Sequence, residues 1–208
     1  MIELHTWGTP NGRKISIMLE ECGLPYSVHK VDISKGEQFK PEFLRISPNN
    51  RIPAIVDPDG PGGKPISLFE SGAILIYLAD KTKKFMPADA AKRYDALQWL
   101  MWQMGGFGPM LGQAHHFLRA APTKIEYGMK RYVDEAKRLY GVLDKQLASN
   151  AFVAGEEYTI ADMSIFPWAA RHEWHTVNLA DFANVKRWYD VVNARPAVTK
   201  GMSVPYLN

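Results

Sequence analysis

The feature that most constrains this chain is a change of period near residue 86: short strand-like runs alternate with helical ones before it, and only long helical patterns follow. Ile2 to Trp7 reads as a short strand. Lys14 to Glu21 leads a run with Ile15, Met18, Leu19 and Cys22 at helical spacing, and Gly23 supplies the stop. Tyr26 to Asp32 alternates as a strand, so the opening is a βαβ unit whose crossover helix packs right-handedly on the sheet. A short helix at Pro41 to Arg45 precedes two further strands, Ala54 to Val56 and Ile66 to Phe69. Between them Asp57-Pro58-Asp59-Gly60-Pro61-Gly62-Gly63 is dense in turn formers and reads as a hairpin connection. A helix over Gly72 to Lys81 closes the unit.

A βαβ unit followed by ββα is the order of a thioredoxin-like α/β domain, assigned to residues 1–84. Beyond Met86-Pro87 the helical patterns Ala90 to Met104, Lys124 to Ala148, Ala161 to Glu173 and Asp181 to Asn193 make residues 89–208 an all-α domain. Gly105-Gly106-Phe107-Gly108-Pro109 is expected to break or kink the helical path. Thr159-Ile160-Ala161-Asp162 fits a capping box with Tyr158 and Met163 as its staple, a structural role.

Several function classes lack their residues. The 25 basic and 22 acidic side chains are scattered without a long single-sign run, which gives nucleic-acid or membrane-surface binding no support. No apolar stretch approaches the ~20 residues that cross a bilayer, and no secretory leader is evident, so a cytoplasmic protein is the expectation. His115-His116 is the only histidine pair, and neighbours on a helix point about 100° apart, so no metal is expected. Cys22 is the only cysteine, which excludes a Cys-X-X-Cys pair; nothing near it would lower its pKa, and it reads as a packing residue. Any thiol chemistry must therefore borrow its thiol.

Two segments carry the binding chemistry. In Asn50-Arg51-Ile52-Pro53-Ala54-Ile55 the proline fixes a bend that leaves the Ile52 main chain free to pair with an extended peptide; a cis bond there is uncommon. In Phe69-Glu70-Ser71-Gly72 a carboxylate and a hydroxyl open a helix, which suits the ammonium and carboxylate of a free amino-acid head. Each segment alone also reads as a plain turn or a capped helix. Donors for a far carboxylate are offered by Gln38 and, more weakly, Arg51. Thr9 through its hydroxyl and Asn11 through its amide and backbone stand at a helix start, where they could stabilise a thiolate; Thr9 as a cap before Pro10 is a compatible structural reading.

These segments, with Gly36-Glu37-Gln38-Phe39, Ser47-Pro48-Asn49-Asn50 and Gly105 to Phe117, resemble the bacterial nu-class glutathione transferases over nearly the whole length. The resemblance implies a glutathione site made by Asn11, Gln38, Ile52, Glu70 and Ser71, and it places Arg131 where the family adds an arginine from its helical domain. On composition alone Arg131 reads as a solvated charge. The resemblance also implies Thr9 and Asn11 as catalytic residues, reduction of small disulfides with one or two glutathione molecules per site, and a homodimer. A conjugating transferase and a non-catalytic glutathione-binding protein are the alternatives.

Overall fold

The computed structural model describes residues 1–205. In chain order the elements are β1 (Ile2–Thr6), α1 (Pro10–Cys22), β2 (Tyr26–Lys30), α2 (Pro41–Leu44), β3 (Ala54–Asp57), β4 (Ile66–Phe69), α3 (Ser71–Thr82), α4 (Ala90–Trp102), α5 (Gly108–His115), α6 (Glu126–Leu147), α7 (Ile160–Ala169), α8 (Ala183–Asn193) and α9 (Pro196–Met202). They fall into two compact units, residues 85–194 on one side of the division and residues 1–84 with 195–205 on the other. The expectation that everything from residue 89 onward is one helical domain is thereby corrected at its end; residues 206–208 lie outside the described residues.

In the first unit the sheet order is β2-β1-β3-β4. β1 runs parallel to β2 with Ile2 opposite Tyr26, and antiparallel to β3 with Leu4 opposite Ile55; β4 pairs antiparallel with β3. Gly23 ends α1 in the left-handed conformation at φ 68°, as its lack of a Cβ allows. Six consecutive residues of α1, Lys14 to Leu19, are buried. An amphipathic helix hides one stripe, so burial all round requires cover on several sides. α3 and α9 both pack against α1. At the α9 contact Ser16 Oγ donates to Gly201 O at 2.7 Å, and a Cβ on Gly201 would lie 2.6 Å from the Ile17 backbone. Arg195 grips Glu21 through two nitrogens at 2.6 and 2.8 Å, and Lys200 pairs with Glu20 at 2.7 Å.

The second unit is helical around Leu100, Phe107, Leu111, Tyr140, Leu143, Phe166 and Trp188, all buried. At Gly105 to Pro109, where a break or kink is expected, the helical path changes form without being interrupted. The chain widens into π-helical turns over Gln103–Phe107, Gly108 N–H bonds to Gln103 O five residues back, and α5 begins with Pro109 in its first turn. A proline there lacks a donor the helix start does not need, and Gly108 lets the turn close on Gln103, whose Nε2 would lie 2.5 Å from a Cβ at that position. The Thr159 capping box forms as expected and reaches further. Asp162, fully buried, accepts from Thr159 N at 2.9 Å, Val153 N at 2.9 Å and Trp188 Nε1 at 2.8 Å, tying the start of α7 to the preceding loop and to α8. Burial pushes its carboxyl up while these donors pull it down.

Candidate active site

The first unit gathers most of the expected residues at the ends of its elements. Thr9 is the N-cap of α1: its backbone is extended (φ −108°, ψ 161°) and its hydroxyl oxygen accepts from Gly12 N at 3.2 Å. The oxygen is thus the acceptor in that bond, and among the described residues the Thr9 hydroxyl donates to nothing. Gly12 makes this tight start fit, because a Cβ would lie 2.3 Å from Thr6 Oγ1 and 2.5 Å from Trp7 O. Asn11 is the half-buried second residue of the helix. The first turn holds no acidic side chain, so the positive end of the helix is left for an incoming anion.

Ile52 stands just before β3, beyond the last β1–β3 pair at His5 and Ala54. Its side chain is buried with Val31, Phe43 and Ala54, while its main chain makes no hydrogen bond among the described residues. The Ile52–Pro53 bond is cis. Ser47, fully buried, pins this bend by donating to Arg51 O at 2.7 Å; Arg51 itself is exposed and bonds Asn50 Oδ1 at 3.0 Å. Glu70 caps α3 by position but without a side-chain bond, and its backbone is left-handed at φ 68°. For a non-glycine residue that conformation costs on the order of 1–3 kcal/mol, and it leaves the Glu70 side chain exposed beside the buried Ser71. Gln38 sits in a 3₁₀ turn, 9% exposed, with Oε1 buried and unpartnered. A buried amide oxygen without a donor is costly, and a ligand N–H would satisfy it.

Two residues escape simple pattern reading. Gly12 is one. The other is Lys14, 1% exposed, whose Nζ lies 3.5 Å from Ser71 Oγ. Lys14 and Met18 share a helix face at i, i+4 spacing, which marks Lys14 as lying on the apolar stripe.

Arg131 belongs to the second unit. It is exposed on α6, with its guanidinium 5.9 Å from the Tyr132 ring, in a groove of about 650 Å³ shared with Met110, Tyr127 and Arg138. Cys22 ends α1, and thirteen residues at ~1.5 Å each put it roughly 20 Å from Thr9. Its thiol is half-buried beside Thr82 Oγ1 at 3.5 Å, and burial pushes its pKa up, the opposite of what a nucleophile needs.

Two family models match the sequence: the glutathione S-transferase N-terminal domain over residues 9–81 and the glutathione S-transferase C-terminal domain over residues 109–196. The disulfide-bond oxidoreductase YfcG of Escherichia coli K12 is 51% identical over 203 residues, covering 97% of this chain and 94% of that protein. The disulfide-bond oxidoreductase YghU of the same strain is 43% identical over 221 residues, with 100% and 76% covered. Among solved structures, a glutathione transferase of Burkholderia graminis with two glutathione molecules bound per subunit matches at a TM-score of 0.94 and 48% identity, over 100% of this chain and 89% of that one. One from Pseudomonas putida, with one glutathione disulfide bound per subunit, also matches at 0.94 and 48%, over 98% and 91%.

Proposed function

The chain belongs to the glutathione transferase family, and from that premise we propose that it is a glutathione-dependent disulfide-bond reductase. The observation that supports the reading is a helix start suited to an anion in a chain that keeps its one cysteine elsewhere. Thr9 offers a hydroxyl proton at a helix N-terminus without acidic residues, and the one cysteine lies at the far end of that helix.

In this reading Glu70 holds the glutamyl ammonium, and Ser71 with the start of α3 holds the glutamyl carboxylate. The Ile52 main chain pairs with the cysteinyl unit as an added strand would. Gln38 supports the glycyl end, and Arg131 is kept as a ligand contact on the family resemblance. Thr9 and Asn11 donate to the sulfur and favour the thiolate. The thiolate attacks one sulfur of the substrate disulfide, forming a mixed disulfide and releasing the other sulfur as a thiolate, which takes a proton. A second glutathione thiolate then attacks the glutathione sulfur of the mixed disulfide. Glutathione disulfide forms and the second substrate thiol leaves. Two glutathiones per site, small disulfides as substrates, a homodimer and a cytoplasmic setting complete the proposal. Among the described residues no helix is long and apolar enough to cross a membrane.

The test is a disulfide-reduction assay with glutathione as donor, set beside conjugation of a chloronitrobenzene. Reduction is expected to dominate; conjugation without reduction would overturn the reading. Asn11→Ala removes a donor to a charged group, a loss of about 1.5–3 kcal/mol, so the rate should fall by roughly one to two orders of magnitude while glutathione still binds. The rate profile should also move to higher pH in Asn11→Ala and in Thr9→Val, because a less stabilised thiolate forms later. Weaker binding with an unchanged rate and pH profile would make these residues grips rather than activators. Cys22→Ala should retain most of the disulfide-reducing activity; a folded variant without turnover would show that the protein supplies a thiol after all.

A further inference from the structure

We propose that Arg13 sets the substrate class of this site: it receives a carboxylate of the disulfide, so that disulfides with acidic groups near their sulfurs are reduced in preference to neutral or cationic ones. The inference rests on the disulfide-reductase reading and names the kind of disulfide which that reading leaves open.

From Thr9 to Leu19 every residue is buried except Thr9, Asn11 and Arg13. A molecule that reaches the start of α1 from solvent therefore meets those three side chains and no others of that stretch. Arg13 lies on the Thr9 side of the helix, because its N–H bonds to Thr9 O at 3.1 Å, one turn back. Helical side chains lean toward the N-terminus, so the surface that Arg13 covers is the turn beginning at Thr9.

A charge withdrawn from water is normally paired. Half-buried Arg195 grips Glu21 through two nitrogens, and half-buried Arg171 stacks 4.2 Å from the centre of the Trp174 ring. Half-buried Arg13 differs from both. Its side chain has no hydrogen bond, ion pair or ring contact among the described residues, and its Nε is buried without an acceptor. Burial lowers its pKa with no carboxylate opposing the effect, which agrees with an unanswered charge. The guanidinium stays charged throughout the working pH range.

In the proposed complex Ser71 holds the glutamyl carboxylate and Gln38 supports the glycyl end, so neither end of the first glutathione is left for Arg13. The group that comes next to the Thr9 turn is the disulfide about to be attacked. An acidic disulfide brings negative charge toward a bound thiolate, and their repulsion opposes the exchange. A guanidinium beside the reacting sulfurs offsets that repulsion and takes the carboxylate through its fork of N–H groups. A neutral disulfide gains nothing from it, and one bearing ammonium groups is repelled.

The test is the catalysed rate at saturating glutathione for three disulfides of similar length: 3,3′-dithiodipropionate with two carboxylates, bis(2-hydroxyethyl) disulfide without charge, and cystamine with two ammonium groups. Each kcat/KM is divided by the rate constant of the uncatalysed exchange, which removes the intrinsic reactivity of the disulfide. The wild-type chain should favour the dicarboxylate over the neutral disulfide by about ten-fold, with cystamine lowest. Arg13→Gln should bring the dicarboxylate-to-neutral ratio close to one, Arg13→Lys should keep part of the preference, and Arg13→Glu should place cystamine first. Equal corrected rates in the wild type would overturn the proposal, and that measurement needs no variant. So would a preference that survives in Arg13→Gln. A fall by one common factor for all three disulfides in Arg13→Gln, with the rate profile moved to higher pH, would make Arg13 a thiolate-stabilising group and overturn its role as selector. A wild type that reduces none of the three would strike the reductase reading and this proposal with it, whereas turnover without preference strikes the proposal alone.

Discussion

Glu70→Ala is expected to weaken glutathione binding by about 2–5 kcal/mol, toward the lower end because the carboxylate is exposed in the unliganded chain, which corresponds to a loss of thirty-fold or more. The effect is large because the substitution leaves the ligand ammonium without a partner at the point where it is held. It should be specific to binding: the Glu70 side chain makes no capping hydrogen bond in α3, so the thermal midpoint should change little. Glu70→Gln keeps the shape and removes only the charge, and should show most of the same loss. Calorimetry giving unchanged affinity for Glu70→Ala would remove Glu70 from the site.

Asp162→Ala is expected to cost about 3–5 kcal/mol of folding stability, a large fraction of what a domain has. The carboxylate is fully buried and accepts from Val153 N, Thr159 N and Trp188 Nε1, with the Thr159 hydroxyl 3.3 Å away. Alanine would strand all of these donors where water cannot reach them. Asp162→Asn retains one acceptor oxygen but turns an amide N–H₂ toward donors, so it should fall between alanine and wild type. Urea unfolding midpoints read the result, and a shift below about 1 kcal/mol for Asp162→Ala would mean that the network adds little.

The parts of this molecule that were legible in the sequence are those fixed by neighbours in the chain. Gly23 ends α1, the turn formers from Asp57 to Gly63 separate β3 from β4, and Glu70 with Ser71 opens α3, each for a local reason of backbone geometry. The Thr159–Asp162 capping box was readable for the same reason, but its extension to Val153 and Trp188 was not, since those partners come from other segments. Gly105 to Pro109 marked where the α-helix gives way but not the form it takes, since Gly108 and Pro109 fit a widened turn packed on Gln103. The short α9 has little periodicity of its own; Gly201 and Arg195 acquire meaning only against Ile17 and Glu21. The residues of the proposed grip stand in readable local contexts, whereas the burial of Lys14, at which its spacing to Met18 only hints, depends on cover from outside α1.

That late cover has a consequence for biosynthesis. The segment that seals α1 is made after the whole helical unit, although the helix it seals belongs to the first two dozen residues. A nascent chain therefore carries the sheet, α1 and α3 with one side of α1 still open to water: the Ser16 hydroxyl and the Glu20 and Glu21 carboxylates await Gly201, Lys200 and Arg195. The thioredoxin-like half is therefore complete only after the helical unit has been translated, so a chain cut short ahead of Arg195 is damaged in its first unit.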